Sequence, residues 1–310
     1  MIQKNRFYGT LYGQAIGDAL GLGTEFMSTD NIKKYYPNGL KEYHQILQDE
    51  HRARWNHGAW TDDTDMMMCI LDALIDCKGN VDLIKIAENF KSWFNGNPLG
   101  IGNHTFKVLC MEDYTSNPIY AAEIIWTIYK KRSAANGGVM RTSVVGLLKE
   151  NVEEQAKDIC RLTHPDTRCI GAAVIVSLII HELVYHGREM SYDEIIAIAE
   201  KYDNRIAEYI HLAYNAVNTQ ELELEGLEQG YTLKTLAAAL WTYWHSESFE
   251  QGLLDIVNAG GDADTNAAVA CAILGAKFGA DNIPSKYIEG LHNQSYYEEK
   301  IKHLYDILTS

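Results

Sequence analysis

Apolar residues recur at helical spacing along nearly all of this chain, and only five prolines interrupt it. Strand-like alternation is scarce, so the pattern predicts an all-α fold. Met66 to Ile75 is apolar on nearly every face, which predicts a central helix wrapped by others. Ile170, Val174, Ile175, Leu178 and Ile179 mark a second buried helix, and Ser191 followed three residues later by Glu194 is a capping box that opens another. Ala267 to Ala276 is crowded with Ala, Gly and Cys, small side chains that let helices approach closely, and is placed at the centre of a single compact orthogonal helical bundle. With 310 residues, 46% hydrophobic and 22% charged, one domain over residues 1–310 is expected. Stretches rich in Gly, Asn or charge at 30–59, 95–103, 133–139 and 221–230 read as loops, where ligand contacts are expected. The acidic run 221–225 reads as a solvated loop or helix end.

A formal net charge of −15 opposes docking on phosphate-rich surfaces, so neither a nucleic acid nor a membrane is expected as partner. A phosphorylated ligand would need local help from bound divalent cations or helix N-termini. The first nine residues lack a signal peptide's apolar stretch, and no segment reads as the ~20 apolar residues of a membrane span, which predicts a cytoplasmic protein. The six cysteines form no CxxC pair and mostly sit in apolar runs, so they read as reduced, buried thiols.

Two acidic segments carry the chemistry. Trp60-Thr61-Asp62-Asp63-Thr64-Asp65 runs straight into the apolar helix. Asp and Thr are good N-caps, and first-turn carboxylates complement the helix dipole by ~0.3–1 kcal/mol each, so capping alone would explain one or two of them. Three carboxylates within four residues repel one another and call for an offsetting cation. The second segment, Asn258-Ala259-Gly260-Gly261-Asp262-Ala263-Asp264-Thr265-Asn266, repeats the arrangement: a Gly-rich turn, two carboxylates and a hydroxyl, then a helix of small residues. Hard oxygen ligands suit Mg²⁺ or Mn²⁺, and the absence of nearby Cys and His argues against zinc or copper. Together the segments favour a two-metal site at helix N-termini over simple capping.

Competing motifs fail. An EF-hand starting at Asp262 would need Gly at Ala267 and Glu at Ile273, and a DDxxD box would need an acid at Met66. No GxxxxGK[ST], GxSxG or HExxH motif occurs.

The chain resembles the ADP-ribosylglycohydrolase family, which includes dinitrogenase-reductase-activating glycohydrolases and ADP-ribosyl-acceptor hydrolases. The segments that carry the resemblance are Gly13-Gln14-Ala15-Ile16-Gly17-Asp18-Ala19-Leu20-Gly21 with Glu25, Trp60 to Thr64, Asn136-Gly137-Gly138-Val139-Met140-Arg141, Thr163-His164, and Gly260 to Asn266. They span nearly the whole chain in order. The resemblance implies two divalent cations, Mg²⁺ or Mn²⁺, ligated by Thr61, Asp62, Asp63, Asp262, Asp264 and Thr265. It implies catalytic roles for Glu25, Asp63 and Asp264, with Glu25 gating the site or handling the attacking water, and a structural role for Asp18.

The implied reaction is hydrolysis of the C1″ glycosidic bond of ADP-ribose, the metals gripping the ribose and activating water. Asn136, Gly137 and Gly138 can aim backbone N–H groups at the pyrophosphate. His164 and Tyr231 are placed like residues lining the adenosine end, the tyrosine by stacking. Arg141 is expected in a salt bridge rather than on phosphate, and Met66-Met67-Met68 in the core. Many arginine-specific members carry an Asp in a Pro-Asp-Ile-Gly-like stretch, whereas this chain reads Pro98-Leu99-Gly100-Ile101-Gly102. The expected substrate is therefore an ADP-ribosylated protein, arginine-linked on general resemblance, with serine linkages, O-acetyl-ADP-ribose and other small ADP-ribose conjugates left open. A crystallin-like binding or structural protein would be expected to have lost a metal ligand, and a different metal enzyme acting on diphosphates would not release ADP-ribose.

Overall fold

The computed structural model describes residues 2–310. It contains fifteen α-helices joined by short turns, and no β-strand among the described residues, so the fold is all-α as the apolar periodicity predicts. At its centre the N-terminal helix, Lys4–Gly21, runs antiparallel to the core helix, Ala263–Phe278. Gly9, Gly13, Gly17 and Gly21 face Gly275, Cys271, Ala267 and Ala263 in turn, at a spacing of four residues that keeps them on one face. A methyl group added at any of these glycines would lie closer to backbone of the core helix than the 3.0 Å that real side-chain carbons keep. The two backbones are therefore in direct contact, and the N-terminal half of the core helix sits beside Asp18. Every residue from Ala263 to Ala276 is buried.

The helix Asp62–Asp76 packs its Met66, Met67, Ile70, Leu71 and Leu74 inward. It is not wrapped on all sides: Asp65, Cys69, Asp72 and Ile75 form a half-buried face, so the central position belongs to the core helix. The segment Thr167–His186 is 20 residues long with a mean hydropathy of 1.8, enough by length and composition to cross a membrane, which the sequence reading overlooked. It is 72% buried within the protein and serves as a core helix. The capping box at Ser191 and Glu194 forms as expected.

Two loop assignments change. The 30–59 stretch contains the helix Thr29–Tyr35 and turns at Tyr43–Gln45 and Arg52–Arg54. The run at 221–225 is not simply solvated, because Leu222 and Leu224 are buried while Glu221 and Glu223 are exposed. Glu225 also accepts a hydrogen bond of 2.6 Å from the Thr29 amide. All six cysteines are free, three of them buried and Cys110 exposed.

Candidate active site

Thr61 occupies the N-cap of the Asp62–Asp76 helix with extended backbone, yet its side chain makes no capping bond. Capping comes from another helix. Asp18 accepts from the Thr61 amide and hydroxyl, both at 2.9 Å, and from the Thr64 amide at 2.9 Å and hydroxyl at 2.6 Å. The orphan amides of that helix start are satisfied by a residue 43 positions away in sequence, which leaves Asp62 and Asp63 with no capping duty. At the start of the core helix Asp262 stands at the N-cap without a side-chain cap bond, while Asp264 Oδ1 accepts from the Thr265 amide at 2.8 Å. The turn before this helix needs Gly260 and Gly261 in the left-handed region, at φ +77° and +69°. Added side chains there would strike the Met27 and Leu224 carbonyls.

The carboxylates converge. Oxygens of Asp18, Asp63 and Asp264 form one group within 4.8 Å, those of Glu25, Asp262 and Asp264 a second, and Asp264 belongs to both. The Thr61 hydroxyl lies 2.9 Å from Asp18, 3.0 Å from Asp63 and 3.4 Å from Asp264, with a single proton to share among three carboxylates. Asp63 Oδ1 is buried with no hydrogen-bond partner. Burial first, and Asp18, Asp62 and Asp262 second, push the Asp63 carboxyl well above the usual range. Asp264 is likewise raised by burial, then by Glu25 and Asp63. Burial raises Asp18 to about 7, burial and then Glu25 raise Asp62 to about 7, and burial raises Asp262 to about 6. The charges acting on these five groups are one another's and that of Glu25, all of them negative, so the cluster lacks a cation of its own. A divalent ion is what such an arrangement fits, since it would supply partners for the orphaned oxygens and reverse the mutual repulsion.

Part of this cluster forms a wall of a cavity of about 540 Å³, which Asp18 and Asp63 do not line. Glu25, Thr61, Asp62, Asp262, Asp264 and Thr265 line it, and Asp62 also accepts from the Gly102 amide at 3.3 Å, although it joins neither carboxylate group. Asn136 and Gly137 line the cavity as well. Asn136 is tied into the acidic wall, donating to Asp262 at 2.7 Å and to Thr235 at 3.0 Å, and Thr235 in turn donates to Asn266 at 2.8 Å. A Cβ at Gly137 would fall 2.9 Å from His164 Cε1 and one at Gly138 2.7 Å from Cys160 Sγ, so both positions favour glycine, though Gly138 does not line the cavity. His164 lines the cavity, and its buried Nε2 has no partner. Burial, then His104 and Arg141, hold that imidazole neutral well below its ordinary range.

Two expected positions are corrected. Tyr231 does not line this cavity. Its backbone pairs with Ala135, and its ring, beside Tyr209 and Arg168, lines an adjoining cleft that shares Ala135 and Gly230 with the cavity. Arg141 forms no salt bridge and faces no cavity. Its fully buried guanidinium donates to Gly137 O at 2.8 Å and Thr163 Oγ1 at 2.6 Å and lies over Phe90, bracing the glycine turn from beneath.

The sequence reading missed His51, Arg54, Trp55, His104 and Thr105, all of which line the cavity. His51 Nε2 lies 2.7 Å from Glu25 Oε2. The only legible signal was the basic and aromatic content of the 44–60 stretch, which does not reveal what that stretch covers.

The model of the ADP-ribosylglycohydrolase family matches residues 1–309. The chain belongs to that family. Family membership makes it an enzyme, an ADP-ribosyl glycohydrolase. It is 32% identical to an uncharacterized protein of Archaeoglobus fulgidus, with 98% of this chain and 97% of that one covered. It is 28% identical to the ADP-ribosyl-[dinitrogen reductase] glycohydrolase of Rhodospirillum rubrum (93% and 90% covered). It is 25% identical to the ADP-ribosylarginine hydrolase of Pseudomonas putida (97% and 78% covered). A solved structure titled "ADP-ribosylglycohydrolase-related protein complex" superposes with a TM-score of 0.76 at 25% identity, covering 98% of each chain. In the enzyme's cavity the departing stretch Pro98 to Gly102 lies at the rim, Leu99 being 53% exposed, and it contributes no carboxylate.

Proposed function

We propose that this single-domain enzyme hydrolyses the C1″ glycosidic bond of ADP-ribosylated protein side chains, arginine favoured, and releases ADP-ribose in a reaction that depends on two divalent cations. Thr61, Asp62, Asp63, Asp262, Asp264 and Thr265 would hold Mg²⁺ or Mn²⁺. The observation that carries the reading is the convergence of buried carboxylates on one place, with Asp63 Oδ1 lacking any partner. When bound, the cations would orient the ribose hydroxyls and lower the pKa of water.

The chain's own residues supply the rest. Glu25, buried in the wall shared with Asp262 and Asp264, stands where it can take a proton from the attacking water and return one to the leaving group. The Asn136–Gly138 turn presents backbone to the pyrophosphate, with Asn136 held by Asp262 and Arg141 beneath. His164 supplies an uncharged face at the adenosine end, beside His104 at 4.7 Å between ring centroids.

The names of the Rhodospirillum and Pseudomonas relatives support a protein substrate, the latter an arginine linkage. A second reading, a neutral leaving group such as serine or an acetyl ester of ADP-ribose, is favoured by the rim at Leu99 and Gly100, which offers no carboxylate to a guanidinium. The test is release of free ADP-ribose from matched arginine- and serine-linked peptides and from O-acetyl-ADP-ribose, with Mg²⁺, Mn²⁺ or chelator, in wild type and Asp264→Ala. Metal-dependent release lost in the variant is expected. Release that survives chelation, or no release from any of the three, would sink the proposal.

A further inference from the structure

Glu25 is gripped by a turn from outside the family motifs. Arg52, buried beneath it, donates from Nε to the Leu22 and Gly23 carbonyls, both at 3.0 Å, and from Nη2 to the Glu25 carbonyl, fixing the backbone. The neighbouring His51 and Arg54 hold the side chain. Arg54 Nη2 lies 2.7 Å from His51 Nδ1, and His51 Nε2 lies 2.7 Å from Glu25 Oε2. A guanidinium has only N–H donors. His51 Nδ1 must therefore accept, which places the ring proton on Nε2, where it is donated to the carboxylate.

We propose that Arg54 and His51 form a relay that locks His51 as its Nε2–H tautomer and thereby positions the Glu25 carboxylate toward Asp262 and Asp264. His51 is a positioning residue: it acts through Glu25, and its importance for turnover rests on the role proposed for Glu25 above. The relay is anchored at its outer end. Arg54 Nε donates to His51 O and Nη1 to Leu99 O, both at 2.9 Å, while its guanidinium lies 4.5 Å from the Trp55 ring centroid. The His51 ring is flanked by Trp55 at 5.5 Å and Phe26 at 5.8 Å, so it cannot swing without displacing an aromatic neighbour. Because Arg54 also bonds the Leu99 carbonyl, the relay ties the cavity rim to Glu25.

The test has two arms on the full chain with Mg²⁺. In ¹⁵N-histidine-labelled protein, the His51 signal is identified by its loss in His51→Gln. It should report a protonated Nε2 and an unprotonated Nδ1 in wild type, and should lose that pattern in Arg54→Ala. In the kinetic arm, His51→Ala should lower kcat about 10-fold with little change in KM, the usual scale for a residue that orients a reacting group. His51→Gln, whose amide can still donate to Glu25, should recover most of it. In a Glu25→Gln background His51→Ala should cost nothing further, since the two act as one unit. A wild-type His51 carrying its proton on Nδ1, or losses that multiply, would overturn the relay. Absence of hydrolysis with the Nε2–H signal intact would overturn the hydrolase reading and leave the relay standing.

Discussion

Replacing Gly13 by alanine tests whether backbone contact between the two central helices organises this fold. In an isolated helix the change would stabilise by about 1 kcal/mol, because glycine loses more backbone freedom on ordering. Here the new methyl would stand 2.8 Å from the carbonyl carbon of Cys271 and nearer still to its oxygen. The obstacle is backbone, so no rotamer change relieves it, and the helices must part by about 1.5–2 Å to restore ordinary packing distances. Parting at Gly13 also lifts Gly9 and Gly17 off Gly275 and Ala267, which share the contact. Overpacking of this kind costs about 3 kcal/mol, at the upper end of the usual range, and outweighs the helix-propensity gain to leave a net loss of about 2 kcal/mol. With an unfolding entropy of about 2.1 cal/mol/K per residue over 310 residues, Tm should fall by about 3 °C. Calorimetry of Gly13→Ala against wild type measures it. An unchanged or higher Tm would mean that the helices tolerate separation and that helix propensity governs the site.

The remaining predictions concern charge, a buried arginine and thiols. Asp18 and Asp262 stay protonated in the folded, metal-free protein up to about 7 and about 6, while the unfolded chain releases those protons in the ordinary carboxylate range. Metal-free stability should therefore fall as pH rises from about 4 to about 7, and a flat or rising Tm in chelator over that range would contradict it. Mg²⁺ or Mn²⁺ at a hundred times its Kd should restore about 2.7 kcal/mol, read as a metal-dependent rise in Tm near neutral pH. Arg141→Met should cost about 3 kcal/mol by stranding Gly137 O and Thr163 Oγ1, and should weaken ADP-ribose binding in calorimetry through the loosened glycine turn; unaltered affinity would show that the turn holds itself. A thiol reagent should modify Cys110 first in the native protein and reach Cys160, Cys169 and Cys271 only on unfolding, which mass spectrometry can follow.

Much of the site was legible before folding because its parts are local in sequence. Each acidic segment carries its carboxylates and hydroxyl within a few residues of a helix start, so residue type and spacing mark the two segments, and the family resemblance implies Thr61, Asp62, Asp63, Asp262, Asp264 and Thr265 within them. Asn136, Gly137 and His164 lie in motifs of the same short range and do line the cavity. Gly13, Gly17 and Gly21 stand in a segment that carries the family resemblance, and the tertiary structure shows that they face the core helix. Arg141 misled because a buried guanidinium can be satisfied by carbonyl and hydroxyl oxygens instead of a carboxylate, and sequence proximity carries no information about which acceptors fold against it.

What the sequence by itself determined is the all-α architecture and the chemistry available: helical periodicity sets the elements, and two hydroxyl–carboxylate segments set a hard-oxygen donor set. What only the tertiary structure decided is who does what within it. Asp18 carries a structural role that spacing alone could not specify: it caps a helix start 43 residues away at 2.9 Å while its carboxylate also stands with those of Asp63 and Asp264. His51 and Arg54 carry no motif, and they reach Glu25 because the turn at 49–55 packs under and beside it. Periodicity and spacing act along the chain over a few residues, whereas caps, relays and cavity walls depend on distances between segments that close packing alone establishes.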